Sequence, residues 1–333
     1  MTINIAINGF GRIGRLTFRA LLESSNYDIS VVAVNDLANI NSIVHLLKYD
    51  SVHHSLQNKI SFDDKSIFID GKETRLFSVA DPENLPWKDL NIDLVIESTG
   101  IFTSREKASK HLKAGAKKVL ISAPSADADI TVVFGVNEQN INPNHTIISN
   151  GSCTTNCLTP IVYVIEKEIG IINGYMTTVH AVTGDQNTID TFHKDLRRAR
   201  NSSLSMIPTS TGAAKAVSEV LPSMKGKLDG SAIRVPTANV SLIDFCFYTP
   251  KNTSTEEINN ILTNYSNNNL KNIISVNSEP LVSTDFNHNP HSSIVDLTET
   301  KVLGKNFCRI LSWYDNEWGF SNRLLDVTKH IFR

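Results

Sequence analysis

The segment INIAINGFGRIG, residues 3 to 14, restricts the fold more than any other stretch of this chain. An alternating apolar run, the mark of a half-buried strand, passes into Gly9, Gly11 and Gly14, where a helical pattern begins. Glycine at these positions permits a tight strand-to-helix turn, bare backbone against a pyrophosphate, and close packing of helix on sheet, while the helix N-terminus attracts phosphate. A G-x-G-x-x-G pattern alone also marks ordinary tight turns. Asp36 separates the two readings. It closes the β-branched run ISVVAVND 22 positions after Gly14, near the ~20 expected for a carboxylate that accepts hydrogen bonds from an adenosine ribose. A turn-capping role explains neither the spacing nor the strand-end position. Leu37 beside it is apolar and no arginine is adjacent, so a 2′-phosphate would be repelled without compensation. The expected cofactor is NAD rather than NADP.

The first third of the chain continues an alternation of strand and helix that gives an α/β fold, a doubly wound parallel sheet with helices on its faces. RIGRLTFRALLESS carries Ile13, Leu16, Thr17, Ala20 and Leu21 on one helical stripe, and IDLVIESTG, KKVLISAPS and TIISNG read as further strands. In FTSREKASKHLKAGAKK, Thr103 and Glu106 have the spacing of a capping box and Gly115 stands where the helix should stop. The stretch from Ser51 to Trp87 breaks this rhythm. Its SIFIDGKE segment reads as a hairpin inserted at the sheet edge, without chemistry. After Gly151 a helix is followed by the strand-like runs GYMTTVHAVTG, SAIRVPTANVSLIDFCFYT, SIVDLTETKV and FCRILSWYD, which predict an α+β domain with a mostly antiparallel sheet. NYSNNNLKN at 264–272 reads as a solvated loop, and NRLLDVTKHIFR as a helix with one apolar face that packs back on the first domain.

At 333 residues the chain exceeds one ordinary core and has room for two domains. Its formal charge of -2 offers no broad footprint for nucleic acid or anionic lipid, so charge effects must be local. The N-terminus starts on a strand pattern rather than a basic and apolar leader, and no apolar run approaches the ~20 residues of a membrane span. Four cysteines, Cys153, Cys157, Cys246 and Cys308, are too few and scattered for a secreted disulfide framework. A cytoplasmic protein is expected.

Two of these cysteines lie in SNGSCTTNCLTP. A structural zinc site needs four ligands, typically in two close pairs, and the sequence has no second pair, so no metal is expected. One helical turn apart, Cys153 and Cys157 permit a stress-induced disulfide, but the spacing is not that of a dedicated redox pair. Cys157 faces LTPIVY and reads as core. Cys153 follows a strand and begins a helix among Ser152, Thr154, Thr155 and Asn156, where unpaired backbone N–H groups stabilise a thiolate. A nucleophile is expected there, and it needs a base or an ion-pair partner. His180, at the end of the β run in YMTTVHAVTGDQ, is the best placed of the 10 histidines, although strand histidines more often belong to a core.

In order through essentially the whole chain, INGFGRIGR, SNGSCTTNCLTP, VHAVTGDQ, HKDLRRAR, IPTSTGAAKAV, AIRVPT and SWYDNEWGFSNR resemble the phosphorylating glyceraldehyde-3-phosphate dehydrogenase family. The resemblance implies a Rossmann-type NAD-binding domain over 1–150, completed by the C-terminal helix 316–333, and a catalytic domain over 151–315. It implies a homotetramer in which the polar segment from about Ala181 to Ile207 approaches a neighbour's cofactor. Cys153 is then the nucleophile and His180 the acid/base. Thr183 and Arg234 fall at the substrate-phosphate positions, with Arg198 near the anion sites, and Ser152, Thr154, Thr211 and Gly212 at those for attacking inorganic phosphate. Arg12 and Ile13 would offer backbone N–H groups to the pyrophosphate, Thr99 and Gly100 would line the adenosine side, and Asn316 would hold the nicotinamide carboxamide. The residue types suit two anions, which need hydroxyls, N–H groups and a guanidinium. A run such as KDLRRAR is usually a solvated charged face, from which only Arg198 is set apart.

The implied reaction converts glyceraldehyde 3-phosphate, NAD and inorganic phosphate to 1,3-bisphosphoglycerate and NADH through a cysteine thioester. A sibling activity, erythrose-4-phosphate dehydrogenase, uses the same cysteine and histidine but releases acid to water. The TSTGAAK segment, suited to an attacking phosphate, weighs against it. A rival of another class is a NAD-binding regulatory or RNA-interacting protein, which leaves the Cys153, His180 and Arg234 constellation unexplained. Gly151 and Thr159 stand where the family commonly has alanine, and Phe320 where many members carry tyrosine near the nicotinamide. None of the three removes a group that transfers a proton or hydride.

Overall fold

The computed structural model describes residues 2–24 and 27–333, so Ser25, the last residue of the first expected helix, lies outside the described residues. The chain forms two compact units, residues 1–152 with 321–333, and residues 153–320. No helix among the described residues is long and apolar enough to cross a membrane.

The first unit is built on β1 (Ile3–Asn8), β2 (Ile29–Asn35), β3 (Ile60–Phe62), β4 (Ser66–Ile69), β5 (Lys72–Phe77), β6 (Leu94–Glu97), β7 (Lys118–Ile121), β8 (Ile130–Thr131) and β9 (Ile147–Ser149). Their order is β3-β4-β5-β2-β1-β6-β7-β9-β8, and every pairing is parallel except β3 with β4 and β4 with β5. Helices α1 (Arg12–Glu23), α2 (Ile40–Lys48) and α3 (Arg105–Lys113) connect the strands. Because β1 is central and covered on both faces, Ile5, Ala6 and Ile7 are all fully buried. The chain leaves β1 toward β2 on one side and returns to β6 on the other, which opens a crevice at the strand C-termini.

Two local expectations change. The SIFIDGKE hairpin forms as β4 and β5, with Asp70 and Gly71 both at positive φ, +49° and +82°, as a two-residue hairpin turn requires. Yet β5 also joins β2 in parallel, so the insertion extends the main sheet and carries Val79 and Ala80 to the crevice. The cap of α3 is Ser104, not Thr103: the Arg105 N–H is taken by Asp127 Oδ1, the helix starts one residue later, and the Ser104 side chain accepts from the Lys107 N–H. Gly115 does follow the helix at φ +107°, where a Cβ would lie 2.4 Å from Lys88 Cβ.

The second unit contains β10 (Asn173–His180), β11 (Ile207–Ser210), β12 (Leu228–Arg234), β13 (Ser241–Tyr248), β14 (Ile274–Asn277), β15 (Ser293–Asp296), β16 (Lys301–Leu303) and β17 (Phe307–Tyr314), with helices α4 (Cys153–Glu168), α5 (Ala213–Val220) and α6 (Thr255–Asn267). The strand order is β11-β12-β10-β13-β17-β15-β14, with β16 on β17. Pairings are antiparallel apart from β10 with β12 and β14 with β15. The run SAIRVPTANVSLIDFCFYT is two strands, broken between Arg234 and Ser241 where Val240 takes φ +66°. The asparagine-rich patch is only partly loop. Its first four residues finish α6, because Tyr265 is drawn into the core.

The last helix, α7 (Trp318–Ile331), passes from the second unit into the first at Ser321. Within the first unit Asp326 accepts a 2.8 Å hydrogen bond from the Tyr27 hydroxyl, and His330 meets Phe134 edge-on at 6.1 Å.

Candidate active site

At the crevice of the first unit lies a cavity of about 500 Å³ lined by Gly9, Gly11, Asp36, Leu37, Thr99 and Phe102 among others. Gly9, at φ +87°, could carry no side chain, since a Cβ would lie 2.6 Å from the Thr99 nitrogen. A Cβ on Gly14 would lie 2.2 Å from the Gly9 carbonyl oxygen, so this glycine lets α1 press on the turn. Gly11 faces open space at the start of α1 and brings no capping side chain to the first-turn backbone, which includes Arg12 and Ile13. The Arg12 guanidinium is held by Asp50 at 2.6 Å.

Asp36 follows β2 and accepts from the Phe10 N–H at 2.7 Å and the Ala38 N–H at 2.9 Å, one on each carboxylate oxygen. Each oxygen keeps acceptor capacity for a ribose hydroxyl. Thr99 lines the cavity, with both its N–H and its hydroxyl held by Glu97, and Gly100 completes the turn at φ +73°. An uncapped helix start over bare glycine, an oriented carboxylate and the apolar walls of Leu37, Val79 and Phe102 fit a dinucleotide.

In the second unit, Cys153 is the first residue of α4 and His180 the last of β10. Cys153 Sγ lies 3.5 Å from His180 Nε2. Parallel pairing of β10 with β12 sets Arg234 opposite His180 in register, and Arg234 Nη1 reaches 2.7 Å from His180 Nδ1. The same Nδ1 lies 2.7 Å from the Ala181 carbonyl oxygen. A proton on Nδ1 satisfies that carbonyl and turns the Nε2 lone pair toward sulfur, whereas a bond donated by Arg234 moves the proton to Nε2.

Burial opposes either charge standing alone. It pushes the Cys153 thiol up, against the pull of Arg234 and of the Thr154 hydroxyl and N–H, and with Arg234 it lowers His180 to about 3. Transfer of a proton across the 3.5 Å gap would create both charges at once, and their attraction would offset part of the burial cost. Cys157, one turn on, is fully buried and its thiol is pushed up to about 12 by burial, as suits a core residue.

The anion candidates are spread around this pair. Arg234 is half-buried, and its buried Nε has no hydrogen-bond partner among the described residues. Arg198 alone of its basic run turns inward, bound to Asp185 at 2.5 Å and to the Thr209 hydroxyl at 3.1 Å, while Lys194, Arg197 and Arg200 face outward. Thr183 follows β10 in a half-buried turn closed by the Gln186 N–H. Thr211 and Gly212 precede α5, with Gly212 as its cap and the Thr211 hydroxyl accepting from the Ala213 N–H. Ser152 immediately precedes α4. Thr154 turns its hydroxyl inward to Tyr314 at 2.9 Å. Asn316 is buried, with Oδ1 accepting from Ser241 at 2.8 Å. Phe320 is also buried.

Sequence reasoning missed Tyr314. Its ring meets His180 edge-on at 5.9 Å, and its hydroxyl lies 2.9 Å from both Thr154 and Thr178. Thr178 donates onward to the Leu242 carbonyl, so the chain of bonds ties the start of α4 to β10 and β13. Only the residue's place in SWYDNEWGFSNR hinted at it.

A doubly wound sheet with this glycine turn and a carboxylate at the end of its second strand, followed in one chain by a mixed sheet whose histidine and arginine meet a cysteine at the start of a helix, defines a two-domain NAD-dependent dehydrogenase. Residues 3–105 match the family model of the glyceraldehyde 3-phosphate dehydrogenase NAD binding domain and residues 152–316 that of its C-terminal domain. Relatives named glyceraldehyde-3-phosphate dehydrogenase include those of Xanthobacter flavus and Cereibacter sphaeroides, each 52% identical over 98% of both chains. That of Geobacillus stearothermophilus is 51% identical over 99% of this chain and 98% of its own. The chain belongs to the glyceraldehyde-3-phosphate dehydrogenase family, and its cofactor is NAD.

Proposed function

We propose that Cys153 and His180 carry the oxidation of glyceraldehyde 3-phosphate, with NAD and inorganic phosphate, to 1,3-bisphosphoglycerate through a thioester. The 3.5 Å approach of Cys153 Sγ to His180 Nε2, with Arg234 at the far side of the ring, supports this reading. The thiol proton passes to Nε2 as sulfur adds to the aldehyde carbon, and the imidazolium returns it to the new alkoxide. Neutral again, Nε2 takes the hemithioacetal hydroxyl proton as the carbon is oxidised. Bound NAD supplies the hydride acceptor. Phosphate then adds to the thioester carbon, the Cys153 thiolate leaves, and an acyl phosphate is released.

An anion drawn to Arg234 engages its guanidinium and frees Nδ1 to donate to the Ala181 carbonyl, which is the tautomer that presents a basic Nε2. Thr183 and Arg234 hold the substrate phosphate, with Arg198 nearby, and Ser152, Thr154, Thr211 and Gly212 hold the attacking one. Asn316 binds the nicotinamide carboxamide. Arg12 and Ile13 give N–H groups to the pyrophosphate, Asp36 holds the ribose, and Thr99 and Gly100 flank the adenosine. Residues 1–150 with 316–333 thus serve the cofactor and 151–315 the chemistry.

The erythrose-4-phosphate alternative is not favoured, because relatives matched over the whole chain carry the glyceraldehyde-3-phosphate name. We place the enzyme in the cytoplasm, consistent with four free cysteines. A homotetramer is supported by Ile189, Phe192, Leu196, Leu204 and Met206, large apolar side chains that one chain leaves exposed within a single segment. NADH formation followed by absorbance should require both the aldehyde and phosphate or arsenate. Full turnover without either anion, or a preference for erythrose 4-phosphate, would overturn the reading.

A further inference from the structure

The Ser241 hydroxyl opens β13 and is 1% exposed. It accepts a 3.0 Å hydrogen bond from the Ala181 N–H and lies 2.8 Å from Asn316 Oδ1. Ala181 in turn offers its carbonyl to His180 Nδ1 at 2.7 Å. One buried hydroxyl therefore joins Ala181, the residue whose carbonyl meets the imidazole, to the amide that follows β17.

A serine hydroxyl has one proton to give. Among the described residues the acceptor for it is Asn316 Oδ1. Turning the Asn316 amide over would set its NH₂ against Ser241 and leave the buried hydroxyl proton without an acceptor, a state that costs about 1–3 kcal/mol. The orientation of the amide is therefore fixed by a partner outside the coenzyme site. Oδ1 is committed to Ser241, and Nδ2, which has no protein partner among the described residues, is the group left to meet a ligand.

We propose that Ser241 is a positioning residue for the reaction, holding Asn316 so that it presents a donor, never an acceptor, to the nicotinamide carboxamide, and anchoring by its N–H the residue Ala181, whose carbonyl meets His180. The proposal rests on the reading of Asn316 given above. It makes a chemical prediction about the ligand: the carboxamide is read through its oxygen, and its NH₂ group is dispensable for Asn316.

Calorimetric binding of NAD and of 3-acetylpyridine adenine dinucleotide, which keeps the carbonyl oxygen and lacks the NH₂, separates the possibilities. In the unaltered enzyme the two dissociation constants should differ by less than about threefold. In Ser241→Ala the freed amide can accept from the NAD NH₂ group, so discrimination against the acetylpyridine analogue should rise about tenfold. The pH profile of iodoacetamide reaction at Cys153 should shift in the same variant, because Ala181, whose carbonyl meets His180, has lost the anchor on its N–H. Ser241→Cys, of similar volume and with a weak S–H donor, should fall between the two. Unchanged analogue discrimination and an unchanged alkylation profile in Ser241→Ala, with melting confirming a folded protein, would overturn the proposal. Asn316→Ala tests the underlying reading separately. If it weakens NAD binding about tenfold or more while Ser241→Ala changes nothing, only the role of Ser241 fails; if it leaves NAD binding intact, the assignment of Asn316 fails as well.

Discussion

At the scale of single residues, the proposed chemistry rests on a proton passed between Cys153 and His180. Burial raises the thiol and lowers the imidazole, Arg234 pulls the thiol back down, and in the proposed reaction an imidazolium 3.5 Å away would favour the thiolate further. Removing the imidazole as His180→Asn should therefore move the midpoint of Cys153 alkylation to higher pH by at least about one unit, since the thiolate loses its counter-charge. A midpoint unchanged from the parent enzyme would show that the two do not titrate together. Cys153→Ala should lower turnover by about 10⁴-fold or more and leave NAD binding within about twofold, measured by steady-state kinetics and calorimetry. Asp36 separates binding from chemistry in the opposite sense. Its replacement by alanine should weaken NAD about tenfold or more, because the two acceptors proposed to meet the ribose vanish along with the bonds that order Phe10 and Ala38.

At the scale of elements, the strand-to-helix turn can be taken apart one glycine at a time. Gly9→Ala drives a Cβ to 2.6 Å from Thr99 in a left-handed backbone, and should cost about 2–4 kcal/mol in denaturant unfolding. Gly11→Ala meets nothing within 4 Å. It should melt like the parent and yet bind NAD about tenfold more weakly, because the methyl fills space expected for the pyrophosphate. The neighbouring Asp50 ties α1 to the turn after α2 through Arg12 and the N–H groups of Val52 and His53. Burial pushes its carboxyl up, but those N–H groups and Arg12 outweigh burial and hold it at about 2. The unfolded chain therefore takes up this proton at higher pH than the folded one. The stabilisation is complete above about pH 4 and disappears as pH falls toward 2, and it amounts to about 2 kcal/mol at neutral pH. Asp50→Asn should be destabilised by that amount in urea at pH 7, with the gap closing in acid. The elements themselves were legible where periodicity and turn chemistry agreed, as in β1, α1 and the Asp70-Gly71 hairpin. The start of α3 was not, because Ser104 and Thr103 are both competent caps and the distant Asp127 decides between them.

At the scale of the whole molecule, the segment that contains Phe192 and Leu196 leaves large apolar side chains in water that a single chain does not cover. Sedimentation should give the mass of four chains, and the double change Phe192→Ser with Leu196→Ser should shift the distribution to smaller species; a parent protein that stays monomeric at micromolar concentration would refute the tetramer. The amino-acid sequence by itself determined the glycine turn, the carboxylate at the end of β2 and the cysteine at the start of α4, because each is written within a few consecutive residues by backbone freedom, strand-end placement or helix start. What it left open is whatever depends on register between distant strands. Arg234 comes to His180 only because β12 lies parallel to β10 in one particular register. Ser241 faces Tyr314 across β13 and β17, and from there reaches Asn316 and Ala181. Local sequence carries no record of those pairings, which arise from the burial of whole strands, and so the groups that set the imidazole and the amide in place were decided by tertiary structure alone.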